Sequence, residues 1–149
     1  MGEKYSLGVE TSAGALGDLG DGAQVAQSAI GQRDVTMSAL QAAIMAGTIA
    51  NQGKRMEPYL INRITDAQMN ELRTTQPRQA AEAVSEETAN TIKDLMFASE
   101  HSTYGYDGNG FASKTGTAEH GEGLAPHAWY VAFDPDKDIA VSYTHLRAH

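Results

Sequence analysis

The chain has 149 residues, 41% hydrophobic and 20% charged with only 4 prolines, which suits one globular domain or a piece of one and excludes disordered, collagenous and low-complexity classes. Its 11 basic and 19 acidic residues leave a net charge of −8, and the basic residues are scattered, so no nucleic-acid partner is expected. The absence of cysteine excludes disulfides, thiolate catalysis and Cys-type zinc sites. No apolar run is long enough for a membrane segment within the chain, and residues 1–10 lack a signal-peptide pattern, so an export signal would have to lie outside it.

In chain order, residues 1–36 are rich in Gly and Ala. The run 14–22 invites a phosphate-cradle reading, but it has neither a preceding apolar strand nor a glycine spacing that fits, and Asp18 and Asp21 would repel an anion. It is expected to be a surface loop. A helix is expected over about 36–51, because Met37, Leu40, Ile44 and Gly47 recur at steps of 3 and 4, with Met45 and Ile49 widening the face. Thr36 or Asp34 would cap it, Gly53 would take a positive φ beyond its end, and its many alanines predict burial. Residues 58–65 read as a short strand and 66–84 as polar connection. Ser85 should cap a second helix over 86–99, with Glu86 and Glu87 in the first turn and Ile92, Leu95, Met96 and Ser99 on one face. Residues 104–110 are turn chemistry.

Three strands are expected to close the chain, at 111–118, 128–134 and 138–142. The middle one, continuously apolar from Ala128 to Phe133, should be buried on both faces, with Trp129, Tyr130 and Phe133 in the core. The turn through Asp134, Pro135, Asp136, Lys137 and Asp138 makes the last two antiparallel neighbours. The fold class is therefore α+β, an antiparallel sheet flanked by helices.

Catalytic character is concentrated in Ser113-Lys114-Thr115-Gly116-Thr117-Ala118-Glu119. A glycine inside a strand signals close approach to the backbone. A cation, two hydroxyls and free edge N–H groups suit a carboxylate and a developing oxyanion. Strand alternation puts Lys114 and Thr115 on opposite faces, so both serve one site only if this is an edge strand. Lys and Thr also occur on edges that merely face solvent.

K-T-G is one of three signatures of class A β-lactamases and penicillin-binding proteins, and the resemblance extends further. The segments 28–36 (Ser-Ala-Ile-Gly-Gln-Arg-Asp-Val-Thr), Leu40-Gln41, 49–53 (Ile-Ala-Asn-Gln-Gly), 56–59 (Met-Glu-Pro-Tyr), 112–119 and 126–133 (Pro-His-Ala-Trp-Tyr-Val-Ala-Phe) follow the order and approximate spacing of class B penicillin-binding proteins. The chain resembles the C-terminal half of their transpeptidase domain, with the PbpA-like actinobacterial branch the most similar. The resemblance implies the β-lactamase/penicillin-binding-protein transpeptidase fold and a D,D-transpeptidase that acts through an acyl-serine in peptidoglycan cross-linking. It implies that Lys114 is catalytic, that Thr115 and Thr117 hydrogen-bond the substrate carboxylate, that Gly116 keeps the edge open and that the Thr117 N–H is an oxyanion donor. It implies peptidoglycan stem peptides ending in D-Ala-D-Ala and β-lactams as ligands, other cell-wall synthesis proteins as partners and no cofactor. It also implies a membrane-anchored parent on the extracytoplasmic side.

Neither S-x-x-K nor S-x-N occurs anywhere in the 149 residues. The serine nucleophile and its lysine base are missing, and the chain alone is expected to be inactive. The alternative is a non-catalytic, penicillin-binding-like binding module. Residues 1–141 are read as the partial transpeptidase domain. Residues 142–149 turn polar and basic, resemble translated adapter sequence and are read as a foreign tail. A metal reading through His101, His120 and His127 with Glu119 or Glu122 fails on spacing, and His145 and His149 lie in the suspect tail, so no metal is expected.

Overall fold

The computed structural model describes residues 4–119, 121 and 123–144. Residues 14–21 are irregular, as expected, but a short helix α1 (Gly22–Ala29) follows, started by Asp21, whose Oδ1 accepts from the Gln24 N–H at 2.8 Å. No residue of α1 is buried, and among its eight residues Val25 is the one large apolar side chain, too little for periodicity to mark the helix.

Helix α2 (Ala39–Ala50) begins later than expected. Ser38, not Thr36 or Asp34, caps it in a box with Gln41. Thr36 is committed elsewhere, since its N–H and C=O pair with the backbone of Ala15 at 2.9 and 3.0 Å. Gly53 has φ +84°, the left-handed conformation expected of it. The most buried positions of α2 are Ala42, Ala46 and Thr48, while Met45 is exposed. Small side chains therefore make the closest contact, and the larger ones border open space.

The stretch 54–82 corrects two expectations. It holds four short strands, β1 (Lys54–Met56), β2 (Arg63–Thr65), β3 (Glu71–Thr74) and β4 (Gln79–Glu82), with β1 antiparallel to β4 and β2 to β3. Only residues 63–65 of the anticipated 58–65 strand are in a ladder, and the polar connection contains two strands. These ribbons are largely exposed, so they carry no alternation of apolar and polar residues. Local polar bonds set the β2–β3 turn instead, with Asp66 Oδ1 accepting from the Gln68 and Asn70 N–H groups at 2.9 and 2.8 Å.

Helix α3 (Glu86–His101) starts at Ser85 as expected and runs two residues past 99. Then come β5 (Ala112–Ala118), β6 (His127–Asp134) and β7 (Ile139–Thr144), an antiparallel meander in the order β5-β6-β7. Its register pairs Ala112 with Phe133 and Gly116 with Trp129 on one side, and Phe133 with Ala140 on the other. The core joins Ala46 of α2, Met96 of α3, Ala112 and Phe133, backed by Ile49, Ile92, Phe97, Val131 and Ala140.

Burial along β6 is uneven. Ala132, Phe133 and Asp134 are buried, but the strand opens toward His127, so the expected double burial holds only for its C-terminal half. β7 continues past 142, with Ser142, Tyr143 and Thr144 opposite Val131, Tyr130 and Trp129. Residues 145–149 of the suspect tail lie outside the described residues. The architecture is α+β.

Candidate active site

β5 is an edge strand of its sheet, the condition under which Lys114 and Thr115 can serve one site. Lys114, Thr115, Gly116 and Thr117 are all exposed. They form one wall of a cleft of about 1020 Å³ that runs between the sheet, α2 and α3. Its other walls are mostly apolar and include Met45, Ile49, Ile92, Leu95 and Trp129. Trp129, expected in the core, borders this cleft. Leu95, expected on one face of α3 with Ile92, Met96 and Ser99, is 65% exposed on the same opening, which those three residues also line.

The register sorts the side chains. Lys114 faces Val131 and Gly116 faces Trp129 across one surface of the sheet, while Thr115 faces Tyr130 across the other. Lys114 Nζ donates to the Thr115 carbonyl at 2.7 Å. Gln32 Nε2, from the loop after α1, donates to the Thr117 carbonyl at 3.4 Å. Both carbonyls thus point away from β6. The N–H and C=O of one strand residue face the same edge, so the Thr117 N–H also points to the open edge. A Cβ on Gly116 would meet Trp129 Cβ at 3.6 Å, an ordinary contact. Packing within this chain therefore does not demand glycine there.

Beneath Thr115 lies a polar cluster that sequence reasoning missed. Glu100, in the last turn of α3, is 4% exposed and accepts hydrogen bonds from Ser113 Oγ, from Tyr130 OH at 3.1 Å and from Asn109 Nδ2 at 3.2 Å. Tyr130 was expected only as core. Burial raises its phenol above the ordinary pKa, and the nearby Glu100 charge adds to that, so it stays protonated and donates. One signal was legible: an acid in the last turn of a helix opposes the helix dipole and calls for local partners.

Among the described residues no three His, Asp or Glu side chains converge as metal ligands. Glu119 and His127 are described; His120, Glu122, His145 and His149 lie outside the described residues.

A model of the penicillin-binding protein transpeptidase domain matches residues 3–148, and the chain belongs to that family. It is 41% identical over 143 residues to the peptidoglycan D,D-transpeptidase PbpA of Mycolicibacterium smegmatis, covering 92% of this chain and 29% of that protein. It is 37% identical to PbpA of Mycobacterium tuberculosis, covering 85% of this chain and 27% of that protein. The chain thus spans less than a third of the length of these relatives. The crystal structure of the M. tuberculosis protein superposes with a TM-score of 0.81 at 35% identity, over 91% of this chain and 34% of that one. Its imipenem acyl-enzyme complex superposes at 0.82 and 36% identity, over 92% and 32%.

Proposed function

We propose that this chain is the K-T-G-bearing, C-terminal part of a peptidoglycan D,D-transpeptidase, supplying the carboxylate seat and one oxyanion donor while the serine comes from the rest of the longer protein. The observation that carries the reading is the edge strand β5, whose Lys114, Thr115, Gly116 and Thr117 line an open, mostly apolar cleft. In this scheme a serine Oγ attacks the carbonyl carbon between the two terminal D-Ala residues of a stem peptide. The C–N bond breaks, D-Ala leaves as the protonated amine, and an amine of a second stem displaces the serine. Lys114 and the hydroxyls of Thr115 and Thr117 hold the terminal carboxylate, and the Thr117 N–H faces the developing oxyanion.

The longer protein is membrane-anchored, works on the extracytoplasmic side beside other cell-wall synthesis proteins and takes β-lactams as substrate mimics. We read residues 142–149 as foreign to it, against a family match that reaches residue 148 and a β7 that stays paired with β6 through Thr144. In support, the buried Ser142 Oγ has no partner among the described residues, on the sheet surface where Val131 and Phe133 are apolar.

Intact-mass spectrometry after incubation with benzylpenicillin tests the reading. The longer protein should gain one penicilloyl adduct and this 149-residue chain none, because it lacks nucleophile and base. An unmodified longer protein would favour a non-catalytic binding module, and an adduct on the 149-residue chain would overturn the assignment of roles.

A further inference from the structure

The carboxylate of Glu100 is more deeply buried than any side chain of the K-T-G wall and has no reacting role in the scheme above. What it does is set by which residues it holds. On β5, the neighbour of Thr115 two positions back on the same surface is Ser113; across the ladder, the residue directly opposite Thr115 is Tyr130. Both donate to the same oxygen, Glu100 Oε2. Asn109 donates to Oε1 while its own Oδ1 accepts the Phe111 N–H at 2.9 Å, which fastens the approach to β5. Among the described residues no Lys, Arg or His forms an ion pair with Glu100. Three neutral donors satisfy the carboxylate, and such a network is directional: each bond fixes a hydroxyl or amide at one place relative to α3. A hydrophobic residue in place of Glu100 could fill the volume but could not tie β5 and β6 to one point.

We propose that Glu100 is a positioning residue for Thr115: through Ser113 and Tyr130 it fixes Thr115 on its own surface of β5 at the strand edge beside the cleft, and so sets how well the site grips the carboxylate of a stem peptide or β-lactam. This rests on the function proposed above and adds to it a residue outside the K-T-G motif. One neutral hydroxyl contact is worth roughly 2- to 13-fold in rate, and a misplaced hydroxyl can lose up to that much, so the effect is large enough to measure.

The test compares benzylpenicillin with its methyl ester, which keeps the β-lactam ring but lacks the carboxylate, on the longer protein. Glu100→Ala should lower the second-order acylation rate constant for benzylpenicillin by about 3- to 10-fold, no more than loss of the Thr115 hydroxyl itself would cost. It should leave the slower reaction of the ester within about twofold, because the ester never used the carboxylate grip. Ser113→Ala and Tyr130→Phe should show the same selective loss, smaller, and neither should add its full effect to Glu100→Ala. These two carry the comparison if Glu100→Ala does not fold. An equal loss for both compounds would make the cluster merely structural, and no loss for either would remove it from the site. Both results overturn the proposal while wild-type acylation keeps the function. A wild-type protein that benzylpenicillin does not acylate would overturn the function itself, and the role of Glu100 with it.

Discussion

Lys114 Nζ rests on the carbonyl oxygen of its own neighbour, Thr115, at 2.7 Å, and among the described residues no carboxylate forms an ion pair with it. A cation held by one neutral acceptor at an exposed strand edge can turn to an incoming carboxylate without breaking a salt bridge.

This arrangement separates the roles of the two residues. In the longer protein, Lys114→Ala should slow acylation by benzylpenicillin by roughly 30- to 1000-fold, the equivalent of about 2–4 kcal/mol of lost charge stabilisation. Thr115→Val should cost less, about 0.5–1.5 kcal/mol, because it removes one neutral hydroxyl. Stopped-flow measurement of the acylation rate constants decides it, and a larger loss for Thr115→Val would reverse the assignment.

Ser142 offers a stabilising substitution. Its buried hydroxyl lacks a partner among the described residues, and Val131 stands opposite. Ser142→Val removes the unmet hydrogen-bonding group and adds a β-branched side chain that suits a strand. The expected gain is about 1 kcal/mol, read as a rise in Tm by calorimetry, whereas a fall would show that the hydroxyl is satisfied.

Gly53 and Gly108 separate backbone strain from crowding. Both have positive φ, +84° and +83°, but a Cβ on Gly53 would overlap the Val84 carbonyl, while one on Gly108 would meet nothing within 4 Å. Gly108→Ala should cost only the left-handed conformation, about 1 kcal/mol. Gly53→Ala should cost several times more, because the join between α2 and β1 must move. Urea denaturation of the two variants checks the order.

The β6–β7 turn carries a pH dependence. Lys137 Nζ donates to Asp134 Oδ2 at 2.7 Å, and that hydrogen bond holds the Asp134 carboxyl below its ordinary value of 3.8, with the Asp136 N–H helping. A depressed carboxylate pKa adds stability above the ordinary value, and the contribution is lost as pH falls through the lower folded-state value. Lys137→Met should therefore lower Tm near neutral pH, with the difference from wild type shrinking below 3.8. A difference that stays constant on acidification would place the effect in packing over Phe111, whose ring centroid lies 5.8 Å from Nζ.

Legibility followed burial. The α3 cap at Ser85 and the meander of the last three strands could be anticipated because turn residues and apolar repeats mark them locally, whereas the edge position of β5 stood only as a condition until the strand order supplied it. Strands β3 and β4 could not, since ribbons exposed on both faces have no period to read. The start of α2 was misplaced because Thr36 and Ser38 are both plausible caps, and only the pairing of Thr36 with Ala15 decides between them.

The amino-acid sequence by itself determined the α+β class, the family and the Lys114 to Thr117 segment, because short-range spacing and residue chemistry carry all three. The tertiary structure alone decided that Glu100, Ser113 and Tyr130 meet beneath Thr115, that Trp129 and Leu95 border a cleft rather than fill a core, and that the Thr117 carbonyl faces outward. Those relations join residues as far as 85 positions apart, as with Gln32 and Thr117. Which donor reaches which acceptor across such a span depends on strand register and helix docking, and no local pattern records either.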